Sequence, residues 1–197
     1  MSSPELEVPR RQLSGRRPEM VARLLDAAVA EVTATGFDQL TVRKVAKAAG
    51  VSAATAYAYF ASKEHLLAEV FWRRLQLLAP LDLDGTIPLG ARVEAAVGPI
   101  ALAVADEPEL AAGVTTALLA HDPDVKALRD LIGGFMAERL AAALGPDVPE
   151  QAQLAFTLML IGALLSSGMA IIDYHALPGI LGGFADLVAE RSGEGKA

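Results

Sequence analysis

The sequence predicts an all-α protein of about nine helices, with a three-helix N-terminal head and a larger helical body behind it. Three observations predict this. Apolar residues recur every three to four positions, as at Val21, Leu25, Ala28 and Val32, which is the spacing of one helix face. Prolines and glycines cut the rest of the chain into segments of helical length, as helix breakers do. No stretch alternates apolar and polar residues in the manner of a half-buried strand.

The elements follow in order. A first helix is expected from residue 18 to 36: Pro18 suits a first turn, where its missing N–H costs nothing, and Gly36 suits an end. Leu24 and Val29 widen its apolar face, and Phe37 and Leu40 follow as core anchors. A short helix over 42–49, a turn at Gly50 and a second short helix over 52–59 complete the head. Ser62 then opens a fourth helix, SKEHLLAEVFWRRLQLL, with a hydroxyl that accepts from the open N–H groups and Glu64 near the positive helix end. Residues 81–88 read as a linker. Beyond it, helices are expected near 89–105, 108–121, 123–144, 149–174 and 178–191, with Pro at or close to each start and Gly145-Pro146 marking one break.

Composition narrows the function. The chain has 197 residues, 53% of them hydrophobic, enough to bury a substantial core. It has no cysteine, which removes disulfides, thiolate metal sites and cysteine nucleophiles and fits a reducing cytoplasm. The opening MSSPELEVPRRQLSGRRPEM carries charges and prolines where an export signal needs an apolar run. Cytoplasmic residence is therefore expected. The net charge of −7 is unevenly divided: residues 1–75 hold 11 Lys+Arg against 8 Asp+Glu, and residues 76–197 hold 6 against 16. A basic head on an acidic body is the asymmetry expected when only the head meets phosphates.

Residues 151–172 are free of charge for 22 positions, long enough to span a bilayer. Gln151, Gln153, Thr157, Ser166 and Ser167 lie within the run, and no Lys/Arg cluster flanks it to set an orientation. A helix apolar on every side also belongs in a core or a subunit interface. No membrane partner is expected.

The informative segment is TVRKVAKAAGVSAATAYAYFASKEHLL, residues 41–67. A helix-turn-helix needs a small residue in its first helix, where the second crosses, and Ala46 is placed for that. Four residues on, Gly50 accepts the positive φ of a sharp turn without a Cβ clash. Val51 plugs the gap, Ser52 caps the second helix, and Ala53, Ala54, Thr55, Tyr57 and Ala58 face outward, small and polar enough for a major groove.

This stretch resembles the DNA-binding domain of the TetR/AcrR family of transcriptional regulators. Thr41, Val42, Val45, Ala46, the run Ala49-Gly50-Val51-Ser52, Thr55, Tyr57, Phe60, Ser62-Lys63-Glu64 and Leu66 carry the resemblance, together with the preceding helix and its Gly36-Phe37 junction. It implies three divisions: a basic arm over 1–17, a helix-turn-helix domain over 18–66, and a ligand-binding and dimerisation domain over 67–197. It also implies that Thr41, Thr55, Tyr57 and Lys63 grip phosphates, which position a protein without reading sequence. Arg43 matches a position that reaches base edges, where a guanidinium discriminates by roughly 1–3 kcal/mol. Lys44, Ser52, Ala53 and Tyr59 complete the expected DNA-facing set. Ala53 stands where a long polar or basic residue is common, Ala54 where Gly is usual, Ala56 where a larger aliphatic is usual and Tyr59 where His is usual. Base reading is therefore expected to rest on Arg43, thymine methyl contacts and DNA shape. The arm pairs Arg10-Arg11 and Arg16-Arg17 are either further DNA contacts or a solvated tail.

The body carries no enzymatic motif: no Gly-x-Ser-x-Gly, phosphate loop or dinucleotide fingerprint. His65, His121 and His175 lack the i,i+4 placement of a metal pair, and His121-Asp122-Pro123-Asp124 and Asp173-Tyr174-His175 read as polar groups at helix ends. No cofactor or metal is expected. The resemblance implies a homodimer through helices 149–174 and 178–191, double-stranded operator DNA as a partner, and a small effector. Its pocket is expected among Leu102, Leu110, Val114, Leu118, Phe135, Met136, Leu140, Phe156 and Met159, so the effector should be apolar. These expectations make the chain a repressor released from a palindromic operator. The alternative is a helical ligand-binding or membrane-associated protein without specific operator binding.

Overall fold

A computed structural model describes residues 16–83 and 86–194. Among them are nine α-helices, one short 3-10 turn and no strand. The head comprises α1 (Arg16–Gln39), α2 (Val42–Ala48) and α3 (Ala53–Tyr57). The body comprises α4 (Lys63–Gln76), α5 (Leu89–Leu102), α6 (Pro108–Leu118), α7 (Pro123–Leu144), α8 (Glu150–Gly168) and α9 (Leu177–Glu194). Arg10 and Arg11 of the expected arm lie outside the described residues, whereas the backbone of Arg16 and Arg17 already forms the start of α1.

Helix ends follow the local chemistry. Thr41, Ser52, Ser62 and Asp122 cap α2, α3, α4 and α7 with side-chain oxygens that accept backbone N–H groups, each satisfying donors the helix leaves open. Gly36 interrupts α1 with φ 75° and ψ 167°, so the helical run ends there and a separate turn carries Phe37 to Gln39. The largest departure from expectation is at α8. It stops at Gly168 instead of continuing to 174, because Ala170 adopts a positive φ of 57° and the chain turns through Tyr174–Ala176 before α9. Periodicity did not reveal this break, since Met169, Ile171 and Ile172 keep the run apolar.

One continuous core joins head and body. Leu24, Val32, Val45 and Phe60 belong to the same buried cluster as Leu67, Ile100, Leu110, Leu140 and Leu181. The expected division at residue 66 falls inside α4, an unbroken helix in which Leu66 and Leu67 are both fully buried. Helix α6 lies against both α1 and α4. It comes that close because residue 113 has no side chain: a Cβ there would stand 2.9 Å from Leu67 Cδ1 and 3.3 Å from Val32 Cγ2. Arg74 ties α4 to the α5–α6 corner through the Ala103 carbonyl, at 2.7 Å, and the Glu107 carboxylate. Arg139 of α7 donates to the carbonyls of Ala96 and Ala79, at 3.0 and 2.9 Å.

Two glycine substitutions should shift stability in opposite directions. Gly113→Ala forces a methyl group between Leu67 and Val32 and should cost about 1–3 kcal/mol. At the exposed Gly134 a Cβ meets nothing within 4 Å, so Gly134→Ala should gain roughly 0.5–1 kcal/mol from helix propensity. Thermal unfolding, where 1 kcal/mol moves Tm by about 2–4 °C in a chain of this size, reads both.

Candidate nucleic-acid interface and apolar cavity

Helices α2 and α3 pack through their smallest faces. Ala46 and Ala56 are buried with Val45 and Phe60, which brings the two backbones close and turns the remaining positions outward. Gly50 makes the turn at φ 66°, a region that costs an L-residue with a Cβ. Val51 N–H donates to the Ala46 carbonyl at 2.9 Å and closes the corner. A long-range clamp adds to it: the Arg23 guanidinium of α1 donates to the carbonyl of Ala49. Nothing in the local pattern announces that contact, since its partners stand 26 residues apart.

The outward face holds most of the expected set. Thr41, Arg43, Lys44 and Ser52 are exposed, Tyr57 is 47% exposed, and Ala53 and Thr55 are half-buried. The hydroxyls of Ser52 and Thr55 lie 2.8 Å apart, and Ser52 Oγ also accepts from Thr55 N–H at 3.0 Å. Lys44 donates through Nζ to the Gln39 carbonyl at 2.8 Å and sits 3.7 Å from Glu31. Two expected residues sit differently. Tyr59 is half-buried and packs on the core. Lys63 turns back on the head, donating to the Phe37 carbonyl at 2.9 Å with its ammonium 4.1 Å from the Phe37 ring centre. That cation–π contact holds α4 to the end of α1.

The start of α4 is also gripped from the body. Ser62 Oγ donates to Asp122 Oδ2 at 2.8 Å while accepting from His65 N–H. Asp122 Oδ1 accepts from the N–H groups of Asp124 and Val125. One carboxylate thus caps α7 and fastens the cap of α4. The hydrogen bond from Ser62 is the largest influence holding the Asp122 carboxyl below its ordinary value of 3.8, against the opposing effect of burial, with the two backbone N–H groups and His65 adding to it. His65 packs edge-on against Phe60. Among the described residues no three His, Asp or Glu side chains come together as a metal site.

Further along α4, Phe71 borders an apolar cavity of about 200 Å³. Val114 and Leu118 of α6 and Met136 of α7, all expected pocket residues, line it, joined by Val104, Ile132, Ile161 and Leu164. Leu102, Leu110, Leu140, Phe135, Phe156 and Met159 are not part of its wall. Leu102 is 49% exposed at the end of α5, and Leu110 and Leu140 are core. Phe135 packs edge-on against Trp72, and Phe156 against Phe184. Met159 is half-buried elsewhere on α8. Among the described residues, the cation in the cavity's wall is Arg129, whose guanidinium donates to the Leu118 carbonyl at 2.6 Å and the Ala120 carbonyl at 3.3 Å, closing the open end of α6.

Comparison with known proteins matches this geometry. The family model for bacterial regulatory proteins of the tetR family covers residues 24–70. An uncharacterised HTH-type transcriptional regulator of Mycobacterium bovis is 37% identical over 181 residues, spanning 91% of this chain and 84% of the relative. The chain belongs to the TetR family. It is accordingly a transcriptional regulator with a helix-turn-helix DNA-binding domain, and not an enzyme. A second relative, the HTH-type transcriptional repressor KstR of Rhodococcus jostii, is 30% identical over 80% of this chain and 74% of its own length. The fold is shared with FadR of Bacillus subtilis, solved in complex with stearoyl-CoA: TM-score 0.62 and 19% identity, over 83% of this chain and 96% of that one.

The shared carboxylate gives a pH signature to this TetR-family chain. A folded-state value below the ordinary one means that Asp122 adds stability above about pH 4, lost as the pH falls through the lowered value. Asp122→Ala should cost about 1 kcal/mol at pH 7, as cap removals do. The difference from the parent protein should shrink to near zero in acid. Urea unfolding at pH 7 and pH 3 tests this, and a constant difference would show that the carboxylate is not the group involved.

Proposed function

We propose that this regulator is a homodimeric repressor, held on a palindromic operator by two helix-turn-helix heads and released when a small apolar ligand enters the body. The observation that carries this reading is the path of α4. It starts at the Ser62 cap, beside the helix-turn-helix, and reaches Phe71 in the cavity wall without a break. A ligand that shifts the cavity end of a rigid helix must shift its other end as well. The apolar wall selects an apolar effector. The repressor name of the Rhodococcus relative supports the repressor reading, and the stearoyl chain of the acyl-CoA bound by the fold neighbour is the kind of apolar group this wall suits.

The dimer reading rests on α8 and α9. Leu154, Leu158 and Ile161 on α8, and Ile180, Phe184 and Leu187 on α9, are exposed. Large apolar residues exposed repeatedly along two helices call for a partner. Gly162, Gly179 and Gly183 stand in the same two helices with open space where a Cβ would be, so the packing of one chain does not require them, and they leave room for a second helix to come near. Helix α8 is also long and apolar enough to cross a membrane. Charged Leu158→Glu separates the readings: it should yield a soluble monomer by sedimentation, whereas a parent protein that pellets with membranes would contradict the dimer.

On DNA, Arg43 is assigned base reading and Thr41, Ser52, Thr55 and Tyr57 the phosphates, with two heads about one helical turn (~34 Å) apart. DNA selected from a random pool should be palindromic. Arg43→Ala should weaken binding by about five- to a hundredfold and relax preference at one base pair per half-site. Tyr57→Phe should weaken all sequences alike. Fluorescence anisotropy on the selected site and on single-base variants checks both, and an unchanged preference in Arg43→Ala would remove the role given to that residue.

A further inference from the structure

The apolar cavity is open on one side. Buried residues such as Val114, Ile132 and Met136 form its depth. Three other wall residues, from three parts of the fold, are exposed: Leu119 just past α6, Arg129 on α7 and Ile161 on α8. Gly133 of α7 also lies in the wall, and no described atom stands within 4 Å of where its Cβ would be. These four positions mark a mouth beside the seam where α7 and α8 pack.

Ile161 belongs to two surfaces at once. Leu154, Leu158, Ile161 and Leu165 follow one another at spacings of four, three and four residues, which sets them on one face of α8. Leu154 and Leu158 are exposed, and Ile161 and Leu165 line the cavity. The opposite face, with Phe156, Leu160 and Ser167, is buried in the core. The exposed stripe assigned above to the dimer therefore runs into the rim of the ligand site. Ile161 stands three residues beyond Leu158, about 4.5 Å along the helix axis.

We propose that the second subunit roofs this cavity, so that the effector site is complete only in the dimer. A helix of the other copy packed on Leu154 and Leu158, at an axis separation of about 8–10 Å, covers Ile161 as well. It shields the part of the ligand that the mouth leaves in water, which binding sites ordinarily enclose. The inference rests on the homodimer and apolar-effector readings and deepens them by tying one to the other. The ligand is an apolar molecule held between the cavity of one protomer and an apolar helix of its partner. Such coupling is reciprocal: whatever factor the dimer adds to ligand affinity, the ligand adds to dimer affinity. Covering ~50 Å² of hydrocarbon corresponds to about tenfold.

The probe is 1-octanol, titrated by calorimetry into the full chain. Two variants break the dimer at different places: Leu158→Glu on the stripe, and Leu187→Glu on α9, which does not border the cavity. The parent should bind one 1-octanol per chain. Both variants, once sedimentation shows monomers and circular dichroism shows intact helices, should bind it about tenfold more weakly. Gly133→Leu, which places a side chain in the mouth, should abolish binding and leave the dimer intact; retained binding would put the probe elsewhere and overturn the proposal. The milder Leu187→Ala gives a reading that does not depend on a folded monomer. There 1-octanol should shift the monomer–dimer equilibrium towards dimer, and no shift, or a shift towards monomer, would overturn the proposal. Weakening in Leu158→Glu alone would make the effect local to the rim and overturn it too. Equal affinity for the parent and both monomers would remove the roof and leave the dimer and the apolar cavity standing. A monomeric parent would remove the dimer reading and the roof with it. A dimeric parent that does not bind 1-octanol would remove the apolar-effector reading and the roof with it.

Discussion

The missing side chain at Gly113 lets α6 touch α1 and α4 at once, with Val32, Phe37 and Leu67 closing around it. Much else depends on that approach. It fuses the head's small core with the body's, and so makes α4 a member of both. It sets α6 at the depth where Val114 and Leu118 face a void while Leu110 and Ala117 face packed protein. It also brings the α6–α7 corner within reach of the start of α4, where Asp122 meets Ser62.

That geometry gives the head two attachments of different character. One is apolar and continuous, through Leu24, Leu66 and Leu67, and resists sliding because close-packed side chains have few alternative fits. The other is polar and local: Lys63 of α4 on the Phe37 carbonyl and ring of α1, with Ser62 on Asp122 fixing the start of α4 from the body side. Polar contacts of this kind can be exchanged for water, so they fix orientation while allowing it to change. A regulator needs a head that is held and can still be turned.

The sequence made the head largely legible because its constraints are local. A positive φ at Gly50, caps at Ser52 and Ser62, and a small residue at Ala46 each act within a few positions of their cause. Asp122-Pro123 likewise carried a readable start for α7. The remainder turned on distant partners. Periodicity marks Leu110, Phe135 and Phe156 as inward-facing but cannot say whether they face another ring or a void. The end of α8 was hidden by apolar residues that continue past a backbone reversal at Ala170. Lys63 looked free because its partner carbonyl lies 26 positions away.

Helix α3 is only five residues long, and its exposed or half-exposed positions include Ala53, Ala54, Thr55 and Tyr57. On the proposed reading, a helix so poor in donors sets a low penalty for each wrong base pair. Occupancy then falls gradually with distance from the best site, since specificity depends on the penalties taken together against many competing sequences. Control by such a protein extends across a graded set of related promoters, ordered by how well each bends and fits, instead of switching at a single address.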